Sequence, residues 1–191
     1  TRWHVTGVTM YHDNYEDTAD EIIVNASRIF LGINYQCISC HGGKGFLEKV
    51  SLDLTSKKRS DFWAMSAFFG KTRVRVVTYQ DRYAMTEDGT GYNTKAASMV
   101  RLQRDGSGSI EPAFILTGEK ADPAKPLRPQ FARMLTQHPQ FARATVNLIW
   151  KQFFGLGIVD PVDSFDMARQ NPQAKLPEPW TCQPTNDDLL N

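Results

Sequence analysis

The stretch INYQCISCHGGKGF, residues 33–46, decides how this chain is read. It holds two of the three cysteines, Cys37 and Cys40, and His41 follows the second directly. For a chain of this composition, such a Cys-x-x-Cys-His run arises by chance roughly once in a thousand, and its spacing is that of covalent haem attachment. Two thiols separated by two residues lie along one helical turn and reach both vinyl groups of one porphyrin edge. The adjacent histidine then supplies the proximal nitrogen to the iron. Other uses of the motif fit less well. A redox dithiol wants a βαβ context, which is not evident here. A structural zinc site needs four ligands, so Cys182 and a distant histidine would have to complete it. A Cys37–Cys40 disulfide closes a very small loop and constrains little. The expected cofactor is one haem c, bound through Cys37, Cys40 and His41. Gly42 and Gly43 leave room beside it for a porphyrin, and Phe46, Leu47 and Val50 extend an apolar wall.

The sixth iron ligand is less sharply marked. His12 is the first choice, because Asp13 or a neighbouring carbonyl can orient its second ring nitrogen. Met85 and His4 come next, and an open position is the remaining case. His138 precedes Pro139 and reads as an interhelical turn. Met65 shares a helix face with Phe62 and Phe69 and reads as core. Cys182, left over by count, reads as a small buried hydrophobe beside Trp180.

Outward from the motif, Asp17 to Phe30 carries acids in its first turn and apolar residues at helical spacing, with Gly32 as its C-cap. A second helix is expected from Ser60 to Phe69. Residues 73–79 alternate like a strand, 81–95 read as a turn-rich loop, and 100–104 with 110–116 read as two strands joined by a hairpin loop. Two helices follow at about 129–137 and 140–154, the second turning Phe141, Thr145, Leu148, Ile149 and Phe153 inward. Thr185 to Leu190 looks like the start of a further helix. The expected fold is α+β, mainly helical with a small antiparallel sheet or hairpin in the middle, built around one covalent haem. The expected organisation is a single haem-binding domain over 1–191. Within it, 15–80 is the motif region, 81–117 holds strands and loop, and 129–165 is a helical segment.

Bulk properties narrow the function. The 191 residues are 41% hydrophobic and 23% charged with a formal net charge of +1. That balance lacks the basic excess of a nucleic-acid binder. No apolar run approaches the roughly 20 residues needed to span a bilayer. The acids at 16, 17, 20 and 21 read as a solvated face. A chain beginning Thr-Arg-Trp is expected to be processed or to be a piece of a longer protein.

Phe30-Leu31-Gly32, Cys37-x-x-Cys40-His41, Phe62-Trp63 and Ala67-Phe68-Phe69 together resemble large secreted bacterial proteins of the planctomycete cytochrome type. Those proteins carry paired domains of unknown function. The segment Phe141-Ala142-Arg143-Ala144, Val146-Asn147, Trp150, Phe153-Phe154-Gly155, Gly157 to Pro161, Asp163 and Phe165 is similar to the opening of the second domain of the pair. The resemblance implies an exported protein with haem c on Cys37 and Cys40, and it implies no settled activity. The expected function is therefore monohaem c-type electron transfer in the periplasm or outside the cell, and not catalysis. The expected partners are redox proteins or neighbouring haem subunits, with self-assembly into a homo-oligomer or filament. The alternatives are a peroxidase-like haem enzyme, with Tyr83, Asp88 and Tyr92 near an open iron position, and a haem-free disulfide or zinc module.

Overall fold

The computed structural model describes residues 15–78 and 82–183. In chain order the elements are α1 (Tyr15–Ala26), a π-helical turn (Ser27–Leu31), α2 (Gln36–Cys40), α3 (Leu52–Thr55) and α4 (Arg59–Ser66), which ends in a 3-10 turn (Ala67–Phe69). Then come β1 (Arg73–Thr78), β2 (Arg82–Thr86), α5 (Leu127–Gln137), α6 (Pro139–Phe154) and a 3-10 turn (Met167–Arg169). The regular structure is mainly helical. Among the described residues, no helix is long and apolar enough to cross a membrane. Two compact units share the chain: Thr1–Ile23 with Ser60–Ala132, and Val24–Arg59 with Arg133–Asn191.

The first unit is organised by aromatic rings and one buried cation. Phe62, Trp63, Met65 and Phe68 are buried on α4 and its 3-10 extension, as helical spacing predicts. Phe131 of α5 meets the rings of Phe69, Phe68 and Phe114 at centroid distances of 5.1, 5.5 and 6.3 Å. The acids of α1 do not form a solvated face: Asp17 and Asp20 are buried. Arg104 explains this, since its Nη2 donates to both carboxylates at 2.7 Å. Its Nε donates to the Tyr92 hydroxyl at 2.9 Å, and that hydroxyl donates to Asp20 Oδ1 at 2.8 Å.

Two expected strands do not form, and the same cluster explains the first. Residues 100–104 and 110–116 are irregular, with isolated bridges at Asn93–Ser109 and Ala113–Lys120. Arg101 reaches Glu21 at 2.6 Å while Arg104 reaches Asp17 and Asp20. Residues three apart point to opposite faces of a flat strand, so the chain cannot stay extended and satisfy both. The sheet is instead the β1–β2 hairpin, antiparallel, pairing Arg73 with Thr86 and Val76 with Tyr83. Its second strand lies in the stretch expected to be loop.

In the second unit α6 lies differently from its apolar pattern. The buried side chains are Gln140, Ala144 and Asn147. Leu148, Ile149 and Phe153, expected inward, are 36%, 51% and 78% exposed. The reason is backbone recognition. Asn147 Nδ2 donates to the Val159 carbonyl at 2.8 Å, and Val159 N–H donates to Asn147 Oδ1 at 2.9 Å. Gln140 Nε2 donates to the Leu31 carbonyl at 2.7 Å. These two amides close polar groups that apolar side chains would leave unsatisfied.

At the helix start, His138 is the N-cap and Pro139 the first helical residue, with Gly155 in the left-handed region (φ 81°) at the C-cap. Nδ1 of His138 accepts from Gln140 N–H at 3.1 Å. Burial, then the nearby Arg143 charge, lowers the pKa of this imidazole from its ordinary 6.5. A lowered base contributes stability that is present above its unfolded value and lost as pH falls through the folded one. The melting temperature is expected to drop as the pH falls below about 6.5. His138→Asn, which caps without titrating, removes that drop; an unchanged pH profile in this variant would refute the assignment.

Candidate functional site

The Cys-x-x-Cys-His run sits in the second unit as one short helix with an inner and an outer side. Ile38 and Ser39 are buried, whereas Cys37 and Cys40 are partly exposed with free thiols. Ser39 Oγ donates to the Gln36 carbonyl at 2.6 Å, and Arg59 Nε donates to the Ser39 carbonyl at 3.3 Å. The two intervening residues therefore hold the turn from inside, with Ser39 Oγ also 3.7 Å from Cys40 Sγ, and both thiols stay partly exposed. His41 N–H closes the turn on the Cys37 carbonyl at 3.1 Å, and the chain then leaves it extended (φ −124°, ψ 144°).

The His41 side chain is exposed and its ring stacks on Phe46, centroids 5.0 Å apart and planes at 28°. Phe46 is 64% exposed and Val50 59% exposed. Exposed apolar residues are ordinary singly; Phe46 is set apart by its stacking on the His41 imidazole. Phe46 and Val50 ride on two consecutive turns. Phe46 and Leu47 N–H both donate to the Gly43 carbonyl, and Val50 and Ser51 N–H both donate to the Leu47 carbonyl.

That loop is fixed against α3. Gly43 N–H donates to the Lys57 carbonyl at 2.9 Å, and a Cβ on Gly43 would fall inside the Leu54 backbone. Gly42 faces open space. The expectation that both glycines leave room for a porphyrin is corrected for Gly43, whose missing side chain serves backbone packing. Gly43→Ala is expected to cost about 1–3 kcal/mol of unfolding free energy, read by urea denaturation, while Gly42→Ala changes it little. Equal effects of the two would contradict this packing.

Asp166 ties the opposite end of the unit to α3. Its carboxylate accepts from Leu52 N–H at 2.7 Å and Asp53 N–H at 3.0 Å, and Gln183 Oε1 accepts from Asp166 N–H at 2.7 Å. Beyond it, Glu48, Lys49, Arg169, Glu178, Pro179 and Trp180 line a cleft of about 620 Å³. The Arg169 guanidinium lies over the Trp180 ring at 5.0 Å, and its Nε donates to the Thr181 carbonyl at 2.7 Å. Cys182 is partly exposed, not buried, with its thiol 3.5 Å from the Asn171 carbonyl. A second cleft of about 360 Å³ has the Arg28–Asp163 ion pair (2.7 Å) and Ile29 in its wall.

The other candidates fall elsewhere. His4 and His12 lie outside the described residues, as does the expected helix start at 185–190. Met85 is on β2 of the first unit and is 49% exposed. Tyr92, considered for a distal pocket, is committed to the Arg104 cluster. Among the described residues, no group of three or more His, Cys, Asp or Glu side chains is placed to hold a metal ion. A structural zinc site at Cys37 and Cys40 would need four such ligands. A covalent porphyrin needs two accessible thiols on one turn and an adjacent imidazole, and the partly exposed Cys37 and Cys40 with the exposed His41 fit that chemistry.

Residues 127–176 match the family described as PSD1, a protein of unknown function (DUF1553). The span runs from the first residue of α5 past Asn147 and Val159, and it brackets the segment Phe141–Phe165. It fits the expected link to a paired domain of unknown function and carries no activity with it. The Cys-x-x-Cys-His run lies outside it. No curated protein and no solved structure matches the chain.

Proposed function

We propose that this chain is a monohaem c-type electron-transfer protein working outside the cytoplasm. The observation that carries the proposal is the placement of the partly exposed Cys37 and Cys40 on one short helix backed by buried Ile38 and Ser39, next to the exposed His41 and Phe46. Cys37 and Cys40 would hold the group through two thioether bonds, each formed by addition of S–H across a vinyl group with no oxidant consumed, and His41 would offer an imidazole nitrogen to its iron. The bound group supplies a reversible one-electron couple, whose potential is tuned by axial ligation and burial. Phe46, stacked on His41, offers apolar surface beside the imidazole. Self-association is part of the same proposal, supported by the outward Ile149, Phe153 and Phe154 of α6.

The test is a visible spectrum of the purified full chain, oxidised and dithionite-reduced, repeated in alkaline pyridine after acid–acetone extraction. Haem c bands that survive extraction are expected. A colourless protein, or bands lost on extraction, would end the proposal. Cyanide or carbon monoxide bound readily by the loaded chain would move the reading to an enzyme with an open sixth position.

A further inference from the structure

We infer that the outward face of α6 pairs antiparallel with the same face of a second copy of this chain, giving a closed two-fold dimer. The inference rests on the self-association proposed above and gives it a form; it does not depend on the haem. α6 is inverted relative to an ordinary amphipathic helix. It turns Gln140, Ala144 and Asn147 to its own unit. Roughly opposite them around the helix it exposes Ala142, Val146, Ile149 and Phe153. Those four are spaced by four, three and four residues, the a/d seam of a helix that packs along another helix. Thr145, Trp150 and Gln152 flank the seam without charge, and Arg143 is drawn aside to Gln170 Oε1 at 2.6 Å.

Side-chain size selects the partner and its direction. Run antiparallel, Ala142 of one copy meets Phe153 of the other and Val146 meets Ile149, so small faces large and medium faces medium. One register satisfies both pairs, because the four positions are symmetric about the point between Asn147 and Leu148. That point lies near the middle of Pro139–Phe154, so the two helices overlap along nearly their whole length. Run parallel, Ala142 would face Ala142 and leave a void, and Phe153 would face Phe153 and crowd its layer. Antiparallel placement also sets the two helix dipoles against each other. Such a contact is isologous, so it closes at two copies and does not grow a filament. One helix pair buries less than the roughly 1,200 Å² of a standard interface, so the dimer is weak and fills with concentration.

The experiment is sedimentation velocity on the full chain over about 5–500 µM. The unaltered chain is expected to move from monomer towards dimer. Val146→Glu and Ile149→Lys each put a charge into an apolar layer and are each expected to weaken association at least about tenfold. Both positions are exposed, so the melting temperatures stay unchanged. Mixed together, the two variants are expected to recover a heterodimer, since the antiparallel register sets position 146 of one against position 149 of the other. Met99→Glu, at an exposed apolar residue of the first unit, is expected to change nothing. A dimer that survives Val146→Glu and Ile149→Lys, or equal weakening by Met99→Glu, would overturn the inference and leave self-association to another surface. Failure to recover on mixing would overturn it too. An unaltered chain that stays monomeric throughout would end the inference and the self-association together. The haem reading stands or falls separately, on the extracted spectrum.

Discussion

With Cys37 and Cys40 both replaced by alanine, the purified chain is expected to lose all chromophore on acid–acetone extraction while melting close to the unaltered apoprotein. Both halves follow from the two-sided turn. The thiols are partly exposed, and the burial belongs to Ile38 and Ser39. Trimming two partly exposed sulfurs removes little packing, whereas Ile38→Ala opens a cavity in a fully buried site at about 2–5 kcal/mol. The variants thus separate attachment from scaffold. Intact mass and pyridine spectra report the first, and denaturation reports the second. Under the proposed attachment, His41→Ala is expected to keep the chromophore attached and change its ligand-field bands, since the imidazole would coordinate without anchoring. A chromophore that survives extraction from the double-alanine chain would refute thioether attachment at these positions.

Arg104→Met is expected to destabilise the first unit by about 3–5 kcal/mol, because it leaves two buried carboxylates without their cation. The Arg104 side chain is 2% exposed, and those of Asp17 and Asp20 are 0% and 1%. Asp17 keeps Ser98 Oγ and Met99 N–H, both at 2.7 Å, and Asp20 keeps the Tyr92 hydroxyl. Neither set neutralises a charge. The pH dependence has a definite sign. Burial pushes the Asp20 carboxyl up despite the Arg104 charge, so the folded chain binds that proton more tightly than the unfolded chain. Its contribution is present below the unfolded pKa and is lost as pH rises through the folded one. Removing Arg104 raises the Asp20 pKa further, so the deficit shrinks as the pH is lowered and Asp20 takes up its proton. Urea unfolding of both chains across pH 4–8 checks this, and a deficit independent of pH would contradict it.

Local signals carried a good part of this structure, and long-range ones carried almost none. The spans of α4, α5 and α6 follow from caps and periodicity, with Gly155 and Pro139 at the ends of the last. The motif was legible because its spacing is its chemistry. The face that α6 buries was not, because periodicity counts apolar residues and this helix buries Gln140 and Asn147 to satisfy the backbone at Leu31 and Val159. The acids of α1 looked solvated because their partner Arg104 lies far along the chain, in a stretch that resembled a strand. The cleft lined by Glu48, Lys49, Arg169 and Trp180 was illegible for the same reason: these residues meet only after the chain has folded back.

Each unit is assembled from two stretches interrupted by the other, and this sets an order in time. Cys37 to His41 leave the ribosome on the order of 140 residues before Gln183, the last described residue that braces Asp166 and, through it, α3. At about 5–20 residues per second, that interval is roughly 7–30 s. Throughout it the two thiols travel on a nascent chain whose C-terminal supports do not yet exist. Cys37 and Cys40 are therefore made well before the residues that complete their unit, and their thiols meet solvent on an unfinished surface first.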